Sequence, residues 1–539
     1  MAKAQVFARE ATGLVRAIGL RDHAITNLNG VGLLITIPMA PIWIFTVVSG
    51  GDAVIGAAVG GLLTLLGPIL AYAMASATFP RSAAPYVTES RVLAPWIGWP
   101  GEFNMFFTVI FWIPGLVSGT LLYTALIPGL YATGISSGNP GLISAANWLM
   151  ADIRPTLIIG EVFLILVTLI AVSGTRRLVT YFQLPVTIIS FIAAALIIGL
   201  LATTTHAQFV ALVPKYLGNT YDGILAAGMS QLPSMMVGTS FLLYPVLVSA
   251  AFSQGNSNSY WNSYGCGEVK RARDIKMQLI SMIVPSVAMT LILIAVYSMF
   301  YGFAGREFLI ALVNFSTIGG SVIKAPLSWG GVGLMYVMMM IADNFWLQLF
   351  IIIGIVCSAL SIVAPAWMVV SRELFAWSFD RVIPTKFSEV SERWHTPTWS
   401  IITGFILMNA LFFITTFLIQ YLGAFMTMQF DTAIIAETLL CISAALLPLR
   451  KSLWAQSPVK DWKLFGIPAI SIAGVIGAVY LAWCFYVFTF TPGTGFGLIS
   501  QWMLVAFIGA PFILYWIIRA IRKRQDIDLD MVFRMIPPE

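Results

Sequence analysis

The sequence predicts an all-α polytopic membrane protein of twelve transmembrane helices, and three observations carry that prediction. Hydrophobic residues make up 59% of the 539-residue chain and charged residues only 10%, where a soluble protein carries about 25% charged residues. About a dozen apolar runs reach the roughly 20 residues that a helix needs to cross hydrocarbon. Dividing the chain at those runs sends 25 of its 29 lysines and arginines to one side and leaves Arg154, Lys215, Arg306 and Lys324 on the other. Cytoplasmic loops carry the basic excess, so both termini are predicted in the cytoplasm of a cell (plasma or inner) membrane. One missed span would scramble that alternation. The net charge of +6 is therefore a topology signal rather than a nucleic-acid footprint.

In order, the predicted spans are 26–48, 53–77, 102–130, 155–173, 179–202, 232–264 (interrupted), 277–302, 345–370, 399–420, 423–448, 464–490 and 498–518. The lead, 1–25, is charged and amphipathic and carries no cleavage signal, so the first run is a retained helix. Span one contains Gly30, Gly32, Pro38 and Pro41. These weaken a helix near its middle, although Gly and Pro also occur in ordinary kinked membrane helices. Span six runs into Ser253, Gln254, Gly255, Asn256, Ser257, Asn258 and Ser259. Ser and Asn compete for backbone hydrogen bonds and Gly relaxes the chain, so a regular helix is expected to break there. The plainer alternative is a helix that ends at Phe252, followed by a loop. The two interrupted spans lie five apart, an odd number, which places them in inverted halves. Matching interruptions of that kind point to a binding site at the membrane midplane.

Three segments carry a family resemblance. Ala71–Val87 (AYAMASATFPRSAAPYV) is similar to Y-A-E-x-x-x-x-F-P-R-S-G-G-x-Y-V of the amino acid–polyamine–organocation (APC) permeases. Gly267-Glu268-Val269-Lys270, with RARDIKMQLI after it, resembles the family's G-E-V-K-N-P segment behind its broken sixth helix. Ser371–Trp399 resembles the S-R-x-L-Y-A-M-A-R-D-G segment between helices eight and nine. The resemblance implies an inverted five-plus-five repeat with broken helices one and six. It divides the chain into a ten-helix core (26–450), two peripheral helices (451–518) and a tail (519–539). It also implies alternating-access transport of an amino acid held by exposed backbone at the two breaks.

Counting from Gly32, the family's helix-one G-S-G falls on Thr36-Ile37-Pro38, where Pro38 lacks an N–H for a carboxylate. The expected substrate-binding residues are Ile35, Thr36, Ile37, Ser253, Gly255, Asn256, Ser257 and Asn258. Their amides suit an amino acid or another small neutral polar solute. Neither break holds an acid, which disfavours polyamines. For the coupling ion, Ser190 occupies the helix-five position where the family often places a lysine. Ser358 and Ser361 share a helix face; the three hydroxyls fit Na⁺ or merely bond neighbouring helices. Intramembrane acids are functional candidates because a buried charge is costly. Asp431 and Glu437 in span ten fit proton coupling, whereas Glu161 in span four is expected to be structural.

Four cysteines (Cys266, Cys357, Cys441, Cys484) lack metal-ligand spacing, and three histidines (His23, His206, His395) are scattered. No nucleotide loop or catalytic triad is present. A metal, another cofactor beyond a coupling Na⁺ or H⁺, a nucleic-acid partner and an enzymatic role are therefore not expected; the bilayer is. Other possibilities for the scaffold are a non-amino-acid solute, an inorganic ion, or a sensor or channel. Trp43, Trp96, Trp99, Trp394, Trp399, Trp462 and Trp516 are expected as interfacial anchors. Outer residues 303–344 are expected as two helices around a Gly-rich middle. The polar tail after Arg524 is expected to be mobile.

Overall fold

The computed structural model describes residues 12–538, apart from 49, 116–120, 123, 124, 236–242, 257, 319–321, 324–331, 418–421 and 492–497. Helices dominate, and the sheet among the described residues is a two-residue hairpin, Lys463–Leu464 with Ile467–Pro468. Among the described residues, nine helices are long and apolar enough to cross a membrane, and a bent pair makes a tenth candidate. They overlap ten of the predicted spans, with most ends within about six residues and span eight running further. Predicted spans three and six are described only in part, as Pro95–Gly115 and as Tyr244–Phe252 with the short 3₁₀ helix Trp261–Glu268. The chain is thus a multi-pass helical membrane protein.

Span eight departs from its expected length. It runs Phe345–Phe379, so the first part of the segment expected as a loop continues the helix. No Gly or Pro stops Ser371–Phe379, and the turn comes at Arg381, whose φ is 63°. That extension buries Arg372 and Glu373. The outer segment forms the expected helices, Arg306–Ile318 and Val332–Ile341, and both pack on the second half of span one.

Two expectations are overturned. Trp99 is no interfacial anchor: it is fully buried, with its ring 5.4 Å from those of Phe103 and Trp377. Trp96, Trp399, Trp462 and Trp516 do remain exposed. The tail is docked rather than mobile. Asp528 caps a helical turn, Leu529–Phe533, which seats Val532 against Phe375 and Phe379 and Phe533 under the Arg91 guanidinium. Arg81 Nε donates to the Pro537 carbonyl at 2.8 Å. A polar composition concealed these few apolar side chains, which have a groove to fill.

On the same, basic-rich face, Ile18 bridges to Val269. Ile18 N donates to the Glu268 carbonyl, and Lys270 N donates back to the Ile18 carbonyl, both at 3.0 Å. Glu268 is paired in the interior with Arg372, and Arg91 with Asp380. These two buried ion pairs tie the loops of that face to span eight.

Candidate functional site

Span one breaks between Leu20–Val31 and Thr36–Val47, with a 42° bend. Gly32 makes the break with φ 74°, a left-handed conformation that only glycine adopts freely. A Cβ at Gly32 would strike Ile362 of span eight. The interruption is therefore Gly32–Ile35, four residues before the Thr36-Ile37-Pro38 alignment. The difference follows from Pro38: proline is tolerated in the first turn of a helix, so it starts the second half rather than marking the break.

The polar groups released by this break are distributed in a definite way. Thr36 Oγ1 turns back to the Val31 and Gly32 carbonyls at 2.6 and 2.7 Å, capping the first half. Leu34 N donates to Ser358 Oγ at 2.9 Å. Pro41 has no N–H for the Ile37 carbonyl, and Tyr297 of span seven supplies a hydroxyl at 2.8 Å instead. Likewise Pro38 offers no donor to the Leu34 carbonyl, so the helix ladder leaves that oxygen to the break. Ile35 turns its side chain into apolar packing with Leu121, Ala359 and Ile362.

Span six ends its first half at Phe252, and the chain then runs through a single 3₁₀ turn, Gln254–Asn256. A helix end at Phe252 is what both the interrupted span and the plainer loop reading expect, and the polar side chains after it do not converge on span one. Ser253 lies against Gly56 and Gly60 of span two. Ser259 Oγ donates to the Met282 carbonyl of span seven at 2.5 Å. Gln254 Nε2 donates to Glu437 Oε2 of span ten at 2.9 Å, and Asn258 and Tyr260 face the same carboxyl. The acid absent from both breaks in the sequence is thus delivered by another span. Gly255 borders open space: among the described residues, a Cβ there would meet no heavy atom within 4 Å. Ser257 and the Asn256 side chain lie outside the described residues.

The helices flanking the two interruptions pack on one another. On one side, Trp43 of span one stacks on Phe252 of span six, 6.1 Å between centroids. On the other, Trp261 covers Gly30, and Asn262 N donates to Asn27 Oδ1 at 2.9 Å. Asn262 also meets His23, whose Nε2 contacts Gln278 Oε1 at 2.9 Å. His23 reads in the sequence as one of three scattered histidines; here it sits in a buried polar junction of spans one, six and seven. Only the Asn27–Asn29 amides beside it hinted at such a junction.

The coupling candidates separate. Ser358 accepts from Leu34, and Ser361 Oγ donates to the Ser358 carbonyl at 2.8 Å. Ser190 is buried with its hydroxyl unpartnered, one turn beyond Thr187, which bonds Asn29 of span one. Asp431 is buried, its two oxygens lack donors, and it faces Thr489 of span eleven rather than either break. Glu161 accepts from Asn409 of span nine at 2.8 Å, the structural partner expected of it. The four cysteines are buried and free.

Interrupted helices inside a bundle of long apolar helices are an arrangement from which many membrane transporters build a solute site. The family model for amino acid permeases matches residues 25–518, and the chain belongs to that family, within the APC superfamily. That family consists of transporters rather than enzymes. A comparison with curated proteins gives no match.

Proposed function

We propose that this permease binds a free amino acid between Gly32–Ile35 and Ser253–Asn258 and moves it by alternating access, coupled to protons through Glu437. The observation that carries the reading is Glu437 standing at the span-six break, bonded to Gln254. The positive end of Thr36–Val47 suits the carboxylate of the solute. The Leu34 carbonyl, the negative end of Tyr244–Phe252 and Glu437 suit its ammonium group. The space beside Gly255 receives the side chain. A buried carboxylate without a cation is costly, so Glu437 stays ionised while an ammonium group is present and takes a proton when it leaves. Sodium is the weaker reading, because the Ser358 and Ser361 hydroxyls are both engaged within the protein.

Thermal unfolding of the detergent-purified protein against a panel of amino acids, amides, amines and salts tests the binding step. A ligand at about 100-fold its dissociation constant adds about 2.7 kcal/mol. Stabilisation by an amino acid, abolished in Asn258→Ala and independent of Na⁺, is expected. Stabilisation by an inorganic ion alone, or by amino acids only with Na⁺, contradicts the reading.

A further inference from the structure

Three glutamates outside the site just described meet in the interior: Glu89 of the short helix Ala84–Val92, Glu102 of Pro95–Gly115 and Glu373 at the end of span eight. All three are buried to zero exposure. Glu102 is central, within hydrogen-bonding reach of both Glu89 and Glu373. Its Oε2 accepts from the Tyr264 hydroxyl at 2.9 Å. The remaining five oxygens, both of Glu89, both of Glu373 and Oε1 of Glu102, have no donor. Each contact among these carboxyls is therefore an acceptor against an acceptor unless a proton lies between them.

Among the described residues, no cation is set against these carboxyls. The two buried arginines nearest in sequence are already taken, Arg91 by Asp380 and Arg372 by Glu268. The groups facing the cluster from the packed elements are neutral or acidic: Tyr72 from span two, Tyr86 beside Asp380, Tyr264 behind the span-six break, and Cys441 and Glu437 from span ten. Trp99, Phe103, Phe106 and Trp377 close one side with aromatic surface. Two further observations point to an occupant. The buried Trp377 indole N–H faces Glu373 without closing a hydrogen bond, and the buried Tyr72 hydroxyl, electrostatically linked to Glu102, has no partner. Gly101 makes the approach possible, since a Cβ there would lie 2.9 Å from Glu89 Oε2. Among the described residues, no three His, Cys, Asp or Glu side chains converge as metal ligands. Like charges this close and this deep cannot all ionise, and such groups titrate as a set.

We propose that Glu89, Glu102 and Glu373 form a second proton-holding site, with Glu102 as its shared centre. Its members come from the loop after span two, span three and span eight, and Tyr264 adds the segment behind the span-six break. Parting of those elements admits water to the carboxyls. One carboxyl O–H bond then breaks, the proton leaves to water, and a carboxylate remains. Tyr72 stacks on Tyr260 at 4.1 Å, and Tyr260 faces Glu437, so the cluster and the solute site are joined through aromatic hydroxyls. This rests on the proton reading above for its role in transport, but the proton content of the cluster is measurable without transport.

The test is infrared difference spectroscopy of the full-length protein between acidic and alkaline buffer, on wild type, the single variants Glu89→Gln, Glu102→Gln and Glu373→Gln, and the triple variant. Wild type is expected to show protonated-carboxyl bands that the triple variant lacks and that Glu102→Gln shifts. Should the triple variant fold poorly, the same shift in the singles decides. In proteoliposomes Glu102→Gln is expected to retain solute exchange and lose accumulation driven by a pH gradient. Spectra superimposable on wild type in every variant that folds overturn the proposal. If wild type shows the bands but no pH-driven uptake, the site stands and the coupling reading of Glu437 fails.

Discussion

The buried pair Glu268–Arg372 makes a sharp test of how the basic-rich face is held together. Both side chains are almost wholly buried, at 4% and 2% exposure. The pair joins the segment behind the span-six break, itself paired with Ile18, to span eight. Replacing Glu268 with Gln leaves the guanidinium buried without a counter-charge, a change that costs about 3–5 kcal/mol. Arg372 keeps Thr175 Oγ1 and Ser371 Oγ, both at 2.8 Å, which places the expected loss near the lower end, about 3 kcal/mol. If that loss falls mainly on the closed arrangement, the closed-to-open ratio drops by about a hundredfold. Cys266, two residues away, is buried and free and reports on that opening. In a variant with Cys266 as its sole cysteine, Glu268→Gln is expected to lower the unfolding temperature and speed maleimide labelling of the sulfur. Replacing both partners by apolar residues of similar volume is expected to restore stability. A stability loss under about 1 kcal/mol, the range of exposed pairs, with unchanged labelling, refutes the reasoning.

Three further outcomes are expected. Gly255→Leu projects into open space, so it leaves the unfolding temperature near that of wild type while eliminating ligand-induced stabilisation in the same scan. Gly32→Ala combines a φ of 74° with a clash against Ile362; it is expected to cost about 1–3 kcal/mol and to show a matching drop in unfolding temperature. Deleting residues 525–539 strips Val532 from Phe375 and Phe379 and takes Phe533 from Arg91. Each lost burial is worth up to about 1.5–3 kcal/mol, so the truncated protein is expected to unfold at lower temperature, measured beside the full chain.

Hydrophobic run length made ten of the spans legible, because it follows directly from bilayer thickness. The interruption of span one and the helix end at Phe252 were legible too, since Gly32 and the Ser–Asn–Gly cluster act on the local backbone. Their register was less so: Pro38 looks like an interruption until it is seen starting a helix. What the sequence concealed were pairings across the bundle. Glu437 meets Gln254 across 183 positions, Arg372 meets Glu268 across 104, and Glu89, Glu102 and Glu373 come from three separate elements. Glu373 in particular reads as part of a polar loop, because only tertiary packing carries span eight on to Phe379. The same applies to His23, a lone histidine until Asn262 and Gln278 are placed beside it.

The central claim is that amino acid transport is coupled to protons through Glu437. Uptake of a labelled amino acid into proteoliposomes, with a pH gradient or a sodium gradient imposed separately, tests it most directly. The account predicts accumulation under the pH gradient alone. It also predicts that Glu437→Gln loses accumulation but keeps exchange, and that Asp431→Asn behaves as wild type. Accumulation driven by sodium alone and undiminished in Glu437→Gln, or a conductance too fast for alternating access, would contradict it.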